Sequence, residues 1–249
     1  MDQEKYYTIA SEASQEIQGH PGLEYLQKET GKTKNILDVG CGEGSKLNSI
    51  TPNHQNATGV DVSRYAINLA KKKYPQFNFV HQKNKKLPFK DGEFELVYST
   101  FVLEHTQDHQ FFLQEMIRVL KPKGKLVILC PNFGSPNRRS PNSVESPFKK
   151  LINGFLKDFS SSPDLNWVKV KPKKKYLNID DDTTVEPYLK DLKGFFHKNG
   201  FRVLKCSSLW SLEPFNFNPR KLLFTFLGKL GIFPFKYWGP QVFIAVSKQ

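Results

Sequence analysis

One stretch constrains the chain more than any other: Ile36-Leu37-Asp38-Val39-Gly40-Cys41-Gly42-Glu43-Gly44, with Ser45 following where a helix can open. Glycines at alternate positions let the backbone turn sharply and approach a ligand where any Cβ would clash. A strand, a glycine turn and a helix in that order begin an alternating α/β fold, and the rest of the first half agrees. Runs of β type at residues 35–39, 57–61, 77–80, 94–99 and 125–130 alternate with helical patterns, which argues for a parallel sheet with crossover helices. Residues 63–73 open on a capping Ser63. Residues 109–120 carry Phe112, Met116, Val119 and Leu120 at helical spacing before Lys121-Pro122, read as the stop. The fold class is therefore α/β, doubly wound.

The second half is less regular. Residues 131–182 dissolve into Pro, Ser, Asn and Lys around one short amphipathic piece at 147–159. A helix is expected over 184–199, with Leu189, Leu192, Phe195 and Phe196 on one face and Gly200 placed to end it. Strands at 201–206 and 241–247 close the chain, and between them 215–237 mixes Phe and Leu with Arg220, Lys221, Lys229 and Lys236. With 249 residues, 38% of them hydrophobic, one sizeable core can be buried, and a single domain is expected. Its parts are an N-terminal helical cap (1–33), a ligand-binding core (34–132), a lid or substrate insertion (133–183) and a C-terminal helix with the last strands (184–249).

The glycine turn departs from a dinucleotide site, because Ser45 stands where GxGxxG has its third glycine. Asp38, two residues before the first glycine, would oppose a pyrophosphate and suits a cationic ligand with ammonium and hydroxyl donors. Asp61, at the end of the next strand, can accept both hydroxyls of an unphosphorylated ribose. S-adenosylmethionine (SAM) is such a ligand.

Three further motifs follow in order: Leu87-Pro88-Phe89-Lys90-Asp91-Gly92-Glu93-Phe94-Glu95-Leu96-Val97, Leu103-Glu104-His105, and Arg118-Val119-Leu120-Lys121-Pro122-Lys123-Gly124. With the glycine turn they resemble the class I SAM-dependent methyltransferases, specifically the broad type 11-like family, and the layout resembles members from sugar and polysaccharide pathways. The resemblance implies a Rossmann-like seven-stranded sheet, mostly parallel with an antiparallel last strand. It implies SAM as donor and S-adenosylhomocysteine as product. Gly40, Cys41, Gly42 and Gly44 would lie under the methionine part of SAM beside Asp38, Asp61 would hold the ribose, and Val62 would pack on adenine. Thr100, directly after the fourth strand's run, completes the expected donor contacts. Family members often place an acid against the adenine amino group where this chain has Lys83, so Asn84 and backbone groups are expected to serve instead. Tyr6 and Tyr7 either close over the donor or pack within an N-terminal helix.

Methyl transfer requires alignment and removal of a proton. His105 is the candidate base, a neutral imidazole near neutral pH, or else a structural histidine bonded to the neighbouring loop. Some relatives hold a metal through E-x-x-E-H here. Phe101 replaces the first acid, so no metal is expected. His109 reads as a second imidazole or, by preference, a solvated loop histidine. Cys41, Cys130 and Cys206 lack disulfide or zinc spacing.

The formal charge of +13 favours an anionic partner. No NPPY-like turn follows the fourth strand and no Pro-Cys nucleophile is present. A nucleic-acid partner therefore rests on Lys169, Lys171, Lys173, Lys174 and Lys175 alone and is not expected. Arg138 and Arg139, leaving the fifth strand, are candidates for a phosphate on a small or lipid-linked acceptor. The leading expectation is O-methylation of a sugar-type hydroxyl. Residues 222–238 could instead lie on a membrane or receive the apolar tail of a quinone precursor, and a non-catalytic SAM-binding protein is the non-enzyme alternative. With no signal peptide or spanning segment read, a cytoplasmic location is expected, including one peripheral to the inner face of a membrane.

Overall fold

The computed structural model describes residues 17–51, 56–160, 165–173 and 179–249. Tyr6, Tyr7, Lys174 and Lys175 lie outside the described residues. Seven strands form one sheet: β1 (Ile36–Val39), β2 (Ala57–Asp61), β3 (Asn78–His81), β4 (Phe94–Thr100), β5 (Leu120–Pro131), β6 (Phe201–Ser207) and β7 (Gln241–Lys248). Their order is β3-β2-β1-β4-β5-β7-β6. The first five run parallel, whereas β7 lies antiparallel between β5 and β6. The architecture is the expected one.

Strands buried on both faces read as continuous apolar runs, and β5 shows the consequence. Leu126, Ile128 and Cys130 enter one core while Val127 and Leu129 enter the other. The first core is capped by α4 (His109–Val119) and α6 (Leu189–Lys198), through Leu113, Met116, Leu192 and Phe196. The opposite core is capped by α1 (Pro21–Thr30), α2 (Ser45–Ile50) and α3 (Arg64–Lys73), through Leu26, Leu47, Ile50 and Ile67. Each fully buried Leu or Ile of this kind stabilises the fold by about 1.5–3 kcal/mol. Ser63 caps α3 by accepting from the Ala66 N–H, as its position suggested. Two further helices, α5 (Pro147–Asp158) and α7 (Pro219–Lys229), lie outside the layers.

The structure departs from the sequence reading in three places. Helix α4 ends at Val119 and β5 starts at Leu120, so Lys121-Pro122 lies within a strand rather than after a helix. Leu120 pairs with Phe94, and an irregularity in register between Phe94 and Leu96 gives Pro122, which has no N–H to donate, a place in the sheet. Helix α6 begins at Leu189, not at 184. Pro187 biases the residue before it toward extended backbone, and the segment is held extended by bonds from Thr184 and Val185 N–H to the Glu104 carbonyl and from Gly134 N–H to the Pro187 carbonyl. Strand β3 lies one residue later than its apolar run.

Candidate active site

The carboxyl ends of β1, β2 and β4 meet at the glycine turn. Gly40, Gly42 and Gly44 all have positive φ, at 83°, 55° and 86°, a region that side chains with a Cβ rarely adopt. A Cβ on Gly40 would stand 2.4 Å from Val102 Cγ2. The turn is locked by Gly40 and Cys41 N–H groups bonded to the Val60 carbonyl. Asp61 finishes the arrangement: Oδ2 accepts from Gly42 N–H at 2.9 Å and Oδ1 from Ser63 N–H at 2.7 Å. Each oxygen keeps acceptor capacity for a hydroxyl. The Cys41 side chain is buried in the core, with its thiol pushed well up by that burial, so only its backbone serves the turn. Thr100 is buried at the last position of β4. Val62 is 71% exposed beside Asp61, a side chain placed to cover a flat ring, and Asn84 lies exposed on the loop after β3.

Asp38 is the most informative residue here. It is almost completely buried, yet among the described residues no donor of good hydrogen-bond geometry meets either carboxylate oxygen. Burial pushes its pKa up to about 7, against the pull of the Lys46 ammonium and the Tyr98 hydroxyl. Lys46, on α2, was not singled out from the sequence. Its Nζ stands 4.4 Å from the centroid of the Phe101 ring, and burial lowers its pKa against the charges of Asp38 and Glu104. A buried carboxylate without a well-placed donor and a desolvated ammonium beside it are the counter-charges an amino-acid zwitterion would need.

A second cluster sits at the end of β4. Phe101 takes the left-handed region at φ 58°, uncommon for an aromatic residue and a form of strain found at functional sites. Beyond it a 3-10 turn, Leu103–His105, presents Glu104 and His105. Glu104 is buried, its Oε2 has no partner, and burial, reinforced by Asp180 and Asp182, raises its pKa to about 7 despite His105. His105 lies between two acids, with Nδ1 2.9 Å from Asp182 Oδ1 and Nε2 3.6 Å from Glu104 Oε1. Burial alone would lower its pKa, but Asp182 and Glu104 outweigh that and hold it at about 9. These two acids favour the imidazolium over the neutral base that was one of the two readings of this residue, the other being a structural histidine. His109 is not a solvated loop residue either: it is buried, stacks on Trp167 and donates to the Leu165 carbonyl at 2.7 Å. Among the described residues no group of three or more His, Cys, Asp or Glu side chains is arranged to hold a metal.

Where β5 and β7 meet at the same carboxyl edge, Pro131 opposite Gln241, a pocket opens between α5 and α7. Phe133, Trp210 and Phe224 give it aromatic walls, and Arg138, Arg139, Arg220 and Lys221 give it cations. The two arginines expected to meet a phosphate part company. Arg138 is spent inside the protein, ion-paired to Glu213 and donating to the Trp238 carbonyl. Arg139 holds only the Ser143 carbonyl, and Arg220 and Lys221 make no ion pair among the described residues.

The model of a family described as a methyltransferase domain matches residues 37–128. The chain is 35% identical to an O-methyltransferase of Aspergillus nomiae across 75% of each chain. It is 29% identical to a demethylmenaquinone methyltransferase of Staphylococcus haemolyticus, across 69% of this chain and 70% of that one. A SAM-dependent methyltransferase structure from Mesorhizobium loti shares the fold, with a TM-score of 0.57 at 16% identity over 92% of this chain and 96% of that one. The chain belongs to the SAM-dependent methyltransferases, and its strand order is that of class I. Its methyl donor is S-adenosylmethionine.

The residues present fit that donor. Asp61 would take the ribose, the glycine turn would admit the methionine chain, and Asp38 with Lys46 would meet its ammonium and carboxylate. A pH dependence follows. Below about pH 7 the buried Asp38 carboxyl is protonated, and a cationic ligand favours its ionised form, so binding must expel a proton. Affinity for SAM is therefore expected to rise as pH climbs from roughly 5 to 7 and to level off above. Calorimetry across that range, beside an Asp38→Asn variant whose affinity stays flat, checks it.

Proposed function

We propose that the chain transfers the methyl group of SAM to a hydroxyl of an anionic acceptor, small or carrier-linked, with a sugar-type alcohol as first choice. The observation that carries this reading is the pocket on the carboxyl edge, aromatic on its walls and supplied with Arg139, Arg220 and Lys221. The similarity to an O-methyltransferase supports the choice of oxygen. Bound SAM supplies the electrophilic methyl group, to which the acceptor oxygen bonds as the carbon–sulfur bond breaks. The chain's own residues must orient that oxygen and take its proton. In this reading the proton goes to Glu104, whose carboxyl has an unpartnered oxygen and titrates at about 7, near the value a general base needs. His105 and Asp182 position Glu104 and tie β4 to the extended segment before α6.

Radiolabelled SAM and a panel of sugar phosphates, nucleotide sugars and lipid-linked glycans test the proposal. At saturating SAM, kcat is expected to rise toward a plateau above about pH 7, and Glu104→Gln to lower it by about 10²-fold and remove that step. Arg139→Glu should raise the acceptor KM by about tenfold with SAM affinity unchanged. Transfer to amines but to no hydroxyl, by protein that binds SAM, would overturn the reading. A second reading, an apolar acceptor of the quinone-precursor kind, is favoured by the uncovered apolar side chains of α7 beside the same pocket and by the likeness to a demethylmenaquinone methyltransferase. The lysines read as an RNA-binding run gain no such support, since Lys173 is paired with Asp181 at 2.5 Å.

A further inference from the structure

Helices α5 and α7 are far apart in sequence and end side by side. Both pack on Trp238: Phe155 of α5 lies 6.2 Å from it and Phe224 of α7 lies 5.3 Å from it, centroid to centroid. Phe159, just past α5, meets Phe233, just past α7, at 5.3 Å. Having joined, they present their apolar residues outward. On α5, Phe148 and Leu156 are 70% and 63% exposed, while Lys150, on the inner side, is buried against Glu186. On α7, Leu223, Phe226 and Leu230 are 53%, 60% and 60% exposed and recur at helical spacing along one face, and Phe217, before the helix, is 87% exposed. A helix packed on a core normally turns this stripe inward. Apolar groups gathered on one exposed face mark an interaction surface.

Charge decides what covers it. From Pro214 to Gln249 the chain contains no acidic residue, while Arg220, Lys221, Lys229 and Lys236 fall among the exposed apolar side chains. On α5, Lys149 stands beside Phe148, Lys157 beside Leu156 is paired with Asp191, and the one acid of that helix, Asp158, is buried and bonded to Tyr188 and Trp238. A second copy of the chain would bring these cations against their own kind, which costs rather than stabilises. An anionic lipid surface supplies both the apolar medium and the opposite charge. Among the described residues no helix is long and apolar enough to cross a membrane, which leaves contact from one side.

We propose that the joined outer faces of α5 and α7 dock the protein on an anionic bilayer, with the basic pocket between the two helices at the lipid boundary. The inference holds whichever acceptor is methylated. Its test is co-sedimentation with vesicles of phosphatidylcholine and phosphatidylglycerol in equal parts. The full chain is expected to sediment with them, to release as salt is raised, and to remain in solution with vesicles of phosphatidylcholine alone. Substituting Leu223, Phe226 and Leu230 together by serine, all surface positions, should weaken binding by about tenfold or more while SAM binding, measured in parallel, shows the variant folded. Wild-type protein that stays in the supernatant with the anionic vesicles overturns the proposal. So does equal binding to both vesicle types, or a dimer in sedimentation velocity that the triple variant abolishes, since the face would then belong to a second copy.

Discussion

Asp61→Ala is expected to weaken SAM binding by about 1.5–3 kcal/mol, roughly ten- to a hundredfold or more in Kd. Two losses combine. The variant lacks the acceptor for the ribose hydroxyls, and it leaves the Gly42 and Ser63 N–H groups, now bonded to the two carboxylate oxygens at 2.9 and 2.7 Å, without a partner beside the ligand. Asp61→Asn separates them, because its amide oxygen replaces one acceptor while its NH₂ is turned against a donor; it should fall between wild type and alanine. Calorimetric titration with SAM and S-adenosylhomocysteine reads all three proteins. An alanine variant that binds like wild type would remove Asp61 from the donor site.

Gly40→Ala should cost more, both in stability and in affinity. Its backbone sits at φ 83°, which costs a residue with a Cβ about 1 kcal/mol before any contact is counted. The new methyl would then stand 2.4 and 2.7 Å from the two Val102 γ-carbons. These lie on a branched side chain next to the backbone, with little freedom to move, so a total of about 2–4 kcal/mol is expected. The turn that must admit the methionine chain is displaced as well, and SAM affinity should drop by roughly a hundredfold or more. Val102→Ala in the same chain removes the clashing atoms but not the dihedral penalty. Thermal unfolding of the single and double variants should therefore show partial rescue, a coupling of about 1 kcal/mol or more. Additive effects would mean that Val102 is not the obstacle.

The donor half of the site is legible in the sequence because its demands are local. A glycine is needed wherever the turn takes positive φ, and an acid at the end of β2 falls beside that turn by the register of two adjacent parallel strands. The acceptor half depends on pairings the chain makes over long distances. Arg138 reads as an available loop cation, but Glu213, which neutralises it, lies 75 residues away. His105 reads as a neutral base, and nothing near it in sequence announces Asp182, which fixes its charge. Lys46 looks like one more surface lysine until α2 directs it over Phe101 and toward Asp38. The parallel first half follows from the alternation of elements, and the seven strands with an antiparallel last one from the likeness to the family, whereas the strand order is read from the structure. The start of β5 does not, since Lys121-Pro122 has the local chemistry of a helix stop and is overruled by pairing with β4.

Strand β7, inserted antiparallel between β5 and β6, sets an order of assembly. Among the described residues strand β6 is hydrogen-bonded into the sheet only through β7, so it has no edge to join until a segment later in the chain has arrived. Until then β5 presents an open row of N–H and C=O groups along with Val127, Ile128 and Leu129, all fully buried in the finished fold. An edge of that kind is a template for pairing with another chain. The interval before β7 docks is thus the stage at which this protein is most exposed to aggregation, and conditions that slow that one step should lower the yield of folded protein without changing the stability of the finished fold.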